Sequence, residues 1–181
     1  GYSSAASDVY KRQNVDYAPV ADVLTNPGNT AIGTRSFGSD ASMVADMVIK
    51  ELEGLSSQGV FGAVKHFPGQ GGVSGDSHDG AVTLDKSLEE LMQTELVPFQ
   101  KALENGVSFV MVGHISVPQV VGDNTPASLS QMMVSNVLRE QLGYQGIVIT
   151  DAMNMGAVTG NYTADQAAVM AVNAGVDMIL M

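Results

Sequence analysis

Blocks of apolar residues alternate with polar blocks along this chain, and their periods predict strands and helices in turn. Val15-Asp16-Tyr17-Ala18-Pro19-Val20 reads as a strand, with Asp22 just beyond it. Pro19 suits the edge or end of a strand. Asn26-Pro27-Gly28-Asn29 marks a turn within the loop 25–37, which also carries Arg35. After a cap at Ser39 or Asp40, Val44, Met47, Val48, Leu52 and Leu55 recur at helical spacing until Gly59. The run 60–64 is the next strand. Ser87-Leu88-Glu89-Glu90 has the form of a capping box and opens a helix to Glu104. Leu88, Leu91, Met92 and Leu103 should face the core, and Pro98 should kink that helix. A strand at 107–112, a polar loop at 116–130, a helix at 131–142 and a strand at 146–150 follow. Thr163-Ala164-Asp165-Gln166 is a second capping box, opening a helix to Ala174, and Val176 to Met181 reads as a buried strand.

Strands that alternate with helices imply parallel βα units. Strand candidates start near residues 15, 60, 107, 146 and 176, and none is followed by G-x-G-x-x-G, so a dinucleotide fold has no support. Asp22, Lys65 with His66, His114, and Asp151 all fall at or just past a strand's C-terminal end. A (β/α)8 barrel gathers its active-site groups there from several strands, whereas a doubly wound sheet uses one switch point. The fold class expected is therefore α/β, an incomplete (β/α)8 TIM-type barrel with about five βα units, since a closed barrel takes ~250 residues. Residues 1–13 read as a tail outside the fold, and 14–181 as a partial catalytic domain cut at both ends.

Composition narrows the partners. A formal net charge of −11 argues against a nucleic-acid or anionic membrane surface. With no cysteine, disulfides and thiolate metal sites are excluded. No apolar run approaches the ~18 residues of a membrane span. The eleven methionines read mostly as core filler.

The chemistry concentrates in Lys65-His66-Phe67-Pro68-Gly69-Gln70-Gly71-Gly72-Val73-Ser74-Gly75-Asp76-Ser77-His78 and in Asp151. Asp151 closes a strand too apolar for the surface, where a carboxylate can attack an anomeric carbon. Helix capping or turn formation is the plain alternative. In Asp76-Ser77-His78 the carboxylate can fix the ring tautomer through one nitrogen and leave the other free to move a proton. An Asx-turn with an exposed histidine fits the same residues. Lys65 and His66 can hold substrate hydroxyls, or serve as a snorkelling lysine and a core histidine. Arg35 is a substrate ligand or a solvated cation, and His114 reads as a core histidine. A metal site built from His66, His78, Asp76, Asp151 and His114 is the main rival, although no H-E-x-x-H, EF-hand or H-x-H pattern supports it.

These motifs resemble the β-N-acetylglucosaminidases of glycoside hydrolase family three. The matching segments are residues 16–23, Ile32 to Gly38, Lys65 to Gly71, Asp76-Ser77-His78 and Thr150 to Met155. K-H-F-P-G followed by D-S-H marks the N-acetylglucosaminidase branch rather than the β-glucosidase branch. By position, the resemblance implies that Asp151 is the nucleophile, His78 the general acid/base and Asp76 its partner. Arg35, Lys65 and His66 match sugar-holding residues. The family often has His where this chain has Gln70, and Asp where it has Gly72. An upstream sugar-binding aspartate and the last strand are absent. The implied activity is retaining, exo-acting hydrolysis of terminal N-acetylglucosaminides in muropeptides or chito-oligosaccharides, as in peptidoglycan recycling, with no cofactor and no metal. A phosphorylase, or a sugar- or metal-binding module without turnover, is the alternative. Cytoplasmic and secreted bacterial locations both fit, and oligomeric state is not implied. The 181 residues alone are expected to be inactive.

Overall fold

The computed structural model describes residues 13–181. The tail expected over 1–13 therefore lies almost wholly outside the described residues. Four parallel strands form the central sheet in the order β1 (Val15–Asp16), β2 (Phe61–Phe67), β4 (Phe109–Val112) and β6 (Ile147–Thr150). A separate parallel pair joins β3 (Val82–Thr83) to β5 (Ile115–Ser116), two elements that the periodicity does not predict. Helix α1 (Ala41–Ser56) connects β1 to β2, and α2 (Leu88–Gln93) and α3 (Val97–Glu104) precede β4. After β5 come α4 (Pro118–Val121) and α5 (Met132–Gln141), and after β6 come α6 (Gly156–Thr159) and α7 (Ala164–Ala174). The expected α/β architecture with a parallel sheet is present.

The sheet is apolar because helices cover it. Val64, Phe67, Val110, Val112 and Val148 are fully buried, among Leu96, Phe99, Met133 and Val137 from the helices. Phe67 meets Phe99 edge to face, ring centroids 5.5 Å apart, fixing α3 against β2. The caps are those expected: Asp40 accepts from the Met43 N–H, and Ser87 and Thr163 both form capping boxes.

Several expectations need correction. The first strand pairs regularly only at Val15–Asp16 and resumes as a bridge from Val20 to Lys65, since Pro19 supplies no ladder donor. Pro98 does not kink one long helix. The helix breaks at Thr94, and Pro98 sits in the first turn of α3, where a missing N–H costs nothing. Helix α5 is wider than the α-helix expected there: the Leu142 N–H bonds Val137 five residues back. Met47 is 44% exposed rather than in the core. The terminal segment is a single bridge from Ile149 to Met178 rather than a regular strand, although it lies parallel beside β6.

The strand β2 ends in a turn of four residues, Gly69 to Gly72, wedged between two supports. Its Gly71 carbonyl accepts from Asn26 N–H at 3.2 Å, and the Gln70 carbonyl from Asn29 Nδ2 at 2.6 Å. On the other side, a Cβ on Gly69 would lie 2.8 Å from the Cβ of Glu95. Glu95 is fully buried between α2 and α3 and pairs with Lys86 at 2.5 Å. A Cβ on Gly71 would stand 2.0 Å from the Val23 carbonyl oxygen, a backbone atom that cannot rotate away. Gly71→Ala is therefore expected to cost about 1–3 kcal/mol, as other overpacked sites do. Denaturant unfolding of the variant checks this, and an unchanged midpoint would mean that the turn yields freely.

Candidate active site

The site stands at the C-terminal ends of the parallel strands. Strand β2 runs through Phe67, so Lys65 and His66 are strand residues and not part of the following loop, as the run 60–64 suggests. Val64 pairs with Val110 and Phe67 with Val112, so Lys65 and His66 together oppose Met111 alone. This extra residue is a bulge, and a bulge re-aims side chains that would otherwise alternate across the sheet. The Lys65–His66 and Phe67–Pro68 peptide bonds are cis. In this arrangement His66 Nε2 lies 3.8 Å from Asp151 Oδ2, and Lys65 also feels the Asp151 charge.

Asp22 organises this end of β2. It is fully buried, and its carboxylate accepts from three N–H groups. These are His66 Nδ1 at 2.8 Å, the Gln70 N–H at 2.6 Å and the His66 N–H at 3.3 Å. A carboxylate can only accept when ionised, so Nδ1 carries the proton and Nε2 is left to face Asp151. Asp22 stands past a strand end, as expected, but is not among the site residues expected from the sequence. The usable signal is a carboxylate in an otherwise apolar stretch, Val20-Ala21-Asp22-Val23.

Asp151 follows β6 and keeps its ladder, with its N–H donating to the Val112 carbonyl at 2.9 Å. One carboxylate oxygen accepts from the Ala152 N–H at 2.8 Å, and the other is the one turned to His66. His114 is the core histidine expected from the sequence. Its Nε2 reaches the Ala152 carbonyl at 3.0 Å, which can only accept, so Nδ1 accepts from the Ser128 hydroxyl at 2.7 Å. Burial pushes its pKa down, which keeps it neutral under the Asp151 loop.

Burial is also the main influence on Lys65, pushing its pKa down, while Asp151 works against that and Arg35 adds to it. Arg35 lies in a short helical turn, Gly33–Arg35, exposed, with Nη2 on the Ala31 carbonyl at 2.6 Å. Its charge reaches Asp76 as well as Lys65. Asp76 Oδ1 accepts from His78 Nδ1 at 2.7 Å and from the His78 N–H at 2.9 Å. The backbone bond, then the ring bond, holds the Asp76 carboxyl below the usual aspartate range. The His78 ring is 63% exposed. The Asx-turn and the Asp–His pair, offered as alternatives by the sequence, are thus both formed by the same carboxylate.

The loop bearing His78 is tied down by residues that sequence reasoning did not single out for that task. Gln70 donates from Nε2 to the buried Ser77 hydroxyl at 3.0 Å. The Ser77 and His78 carbonyls accept from the Ala157 and Gly156 N–H groups at 3.1 and 2.9 Å. Among the described residues, no three His, Asp or Glu side chains converge as a metal would require. A cleft of about 630 Å³ lies at the opposite end of the sheet between Met92, Leu103, Val107, Leu142 and Tyr144, and holds none of the candidate groups.

Known proteins share this parallel α/β scaffold. Residues 4–181 match the glycosyl hydrolase family 3 N-terminal domain. The chain belongs to that family. It is 40% identical over 172 residues to the beta-hexosaminidase LpqI of Mycobacterium tuberculosis, covering 92% of this chain and 44% of that protein. The fold is similar to a family 3 β-N-acetylglucosaminidase from Paenibacillus sp. str. FPU-7, with a TM-score of 0.96 and 38% identity. That match covers 99% of this chain and 35% of that one. The β-N-acetylglucosaminidase from Thermotoga maritima gives a TM-score of 0.86 at 34% identity, over 99% of this chain and 38% of its own. The chain thus spans less than half the length of each of these three relatives.

Three outcomes follow from this geometry. Asp22→Ala leaves three buried donors without an acceptor and is expected to cost about 3 kcal/mol or more of stability. Nitrogen NMR of the wild type should show His66 carrying its proton on Nδ1, and an Nε2-protonated ring would contradict the assignment. Lys65→Met should raise stability at neutral pH, because it removes a charge that burial disfavours. A lysine whose folded pKa is lowered carries its cost at low and neutral pH. The gap between wild type and variant should therefore close as pH rises toward the ordinary lysine value of 10.5. Thermal melts at several pH values check the sign.

Proposed function

We propose that this chain supplies the strands and catalytic loops of a (β/α)8 barrel in a retaining exo-β-N-acetylglucosaminidase. Its substrates are terminal N-acetylglucosaminides of cell-wall muropeptides or chito-oligosaccharides. The observation that carries this reading is the meeting of Asp151 with His66 and Lys65 at the strand ends, beside an exposed Asp76–His78 pair.

Asp151, with one oxygen held by the Ala152 N–H, attacks the anomeric carbon with the other. The bond from that carbon to the leaving oxygen breaks, and His78 Nε2 gives the leaving oxygen its proton. In the second step the same nitrogen takes a proton from water, whose oxygen displaces Asp151 and restores the free carboxylate. Retaining glycosidases commonly use two carboxyl groups for these roles. Here Asp76 holds Nδ1–H of the imidazole, so that Nε2 is the nitrogen that moves the proton. Lys65, His66 and Arg35 bind sugar hydroxyls or the acetamido carbonyl. No cofactor enters these steps. The two cations also suit an anionic acceptor, which favours phosphorolysis as the second reading, and product analysis with and without phosphate separates the two.

The test uses the 181-residue chain and the same chain completed to a relative's length. In the active form, Asp151→Asn should remove turnover, and a 2-fluoro sugar with an activated leaving group should label Asp151 covalently. His78→Ala should slow a natural disaccharide by about 10²–10⁴-fold. It should slow an activated aryl glycoside far less, with azide assisting the second step. A label on another residue, or equal losses on both substrates, would overturn the assignment.

A further inference from the structure

The His78 ring makes its hydrogen bond inside its own loop, to Asp76. That bond sets the ring relative to the loop and leaves open what sets the loop relative to Asp151. The answer lies in the backbone. The Ser77 and His78 carbonyls rest on the Ala157 and Gly156 N–H groups at the start of α6. Those groups follow Asp151 by only a few residues, through a segment that is itself fixed. Met153 and Met155 are buried there, and the Met153 N–H donates to the Leu180 carbonyl at 2.9 Å.

Gly156 is what allows this approach. A Cβ at that position would stand 2.7 Å from the His78 carbonyl oxygen, 2.8 Å from the Asp79 carbonyl carbon and 2.9 Å from the Asp79 oxygen. All three are backbone atoms, so no side-chain rotation relieves the contact. The glycine is not required by its own conformation, since it is not among the residues with positive φ. Helix propensity also runs against it, glycine being about 1 kcal/mol poorer than alanine within a helix.

We infer that Gly156 is a positioning residue that seats the His78 loop against the nucleophile loop and so sets the reach of the acid/base. This inference rests on the proposed roles of Asp151 and His78. Any side chain at 156 displaces residues 77–79 while leaving Asp151, His66 and Asp22 in place. Donation and removal of the proton then suffer, and nucleophilic attack does not. Misplacing a reacting group by about 1 Å can cost as much as 10²-fold.

The experiment compares Gly156→Ala with wild type in the completed chain. The kcat for a natural disaccharide should fall by about 10- to 100-fold with KM little changed. The rate at which a 2-fluoro sugar with an activated leaving group labels Asp151 should stay the same, and azide should assist the second step. In the Gly156→Ala, His78→Ala double variant, the first substitution should add nothing to the second, because it acts only through His78. Amide exchange at Ala157 should quicken in the 181-residue chain itself. Undiminished disaccharide turnover would overturn the inference, as would fully additive losses in the double variant or slowed labelling of Asp151. Wild-type labelling at a residue other than Asp151 would overturn the underlying reading instead, so the two failures are distinguishable.

Discussion

The buried Asp22 carboxylate is the interaction on which the site depends. An ionised group at zero exposure is unfavourable unless donors surround it, and three N–H groups do so here. Those donors come from two places, the bulged end of β2 and the turn that follows. One carboxylate therefore fixes the strand β1 extension, the orientation of His66 and the start of the Gly69–Gly72 turn together. Withdraw it, and the backbone of that turn loses the restraint that aligns Gln70 with Ser77. The loop bearing His78 is thus tied to Asp22 through two intermediate contacts, although no atom of Asp22 touches it.

How much of this was legible in the sequence follows from the range of each interaction. Period and capping act within a few residues, so α1, both capping boxes and the strands β2, β4 and β6 could be read directly. The strand-end positions of Asp151, Lys65 and His66 could be read for the same reason. What escaped depends on partners far apart in the chain. The bulge that turns Lys65 and His66 the same way is a register difference between β2 and β4, set by pairing. The break between α2 and α3 is tied to Glu95, which must be buried there to reach Lys86 and the Gly69 turn. Thr94 and Pro98 alone do not announce that. Helix α5 widens by one residue in its hydrogen bonding, and its apolar spacing still reads as α-helical. The docking of residues 77 and 78 on 156 and 157 joins two loops separated by the whole of β4 and β6.

The site divides into a buried part and an exposed part, and the division suits the roles proposed for them. Asp22 and His66 are buried, with Lys65 close by in a setting that disfavours its charge. Such groups have little freedom to lose on binding, which suits the sugar-holding role proposed for Lys65 and His66. His78, the proposed acid/base, stands 63% exposed beside an aspartate whose bonds are local. The role proposed for His78 calls for that room, since a leaving group and then water would pass there. Exposure alone would leave the ring loosely placed. Backbone contacts supply the placement without filling the space, because carbonyls resting on N–H groups fix a loop while its side chains stay free. Gly156 permits that contact by having no side chain, so that in the proposed mechanism His78 is open to solvent and still held at a set distance from Asp151.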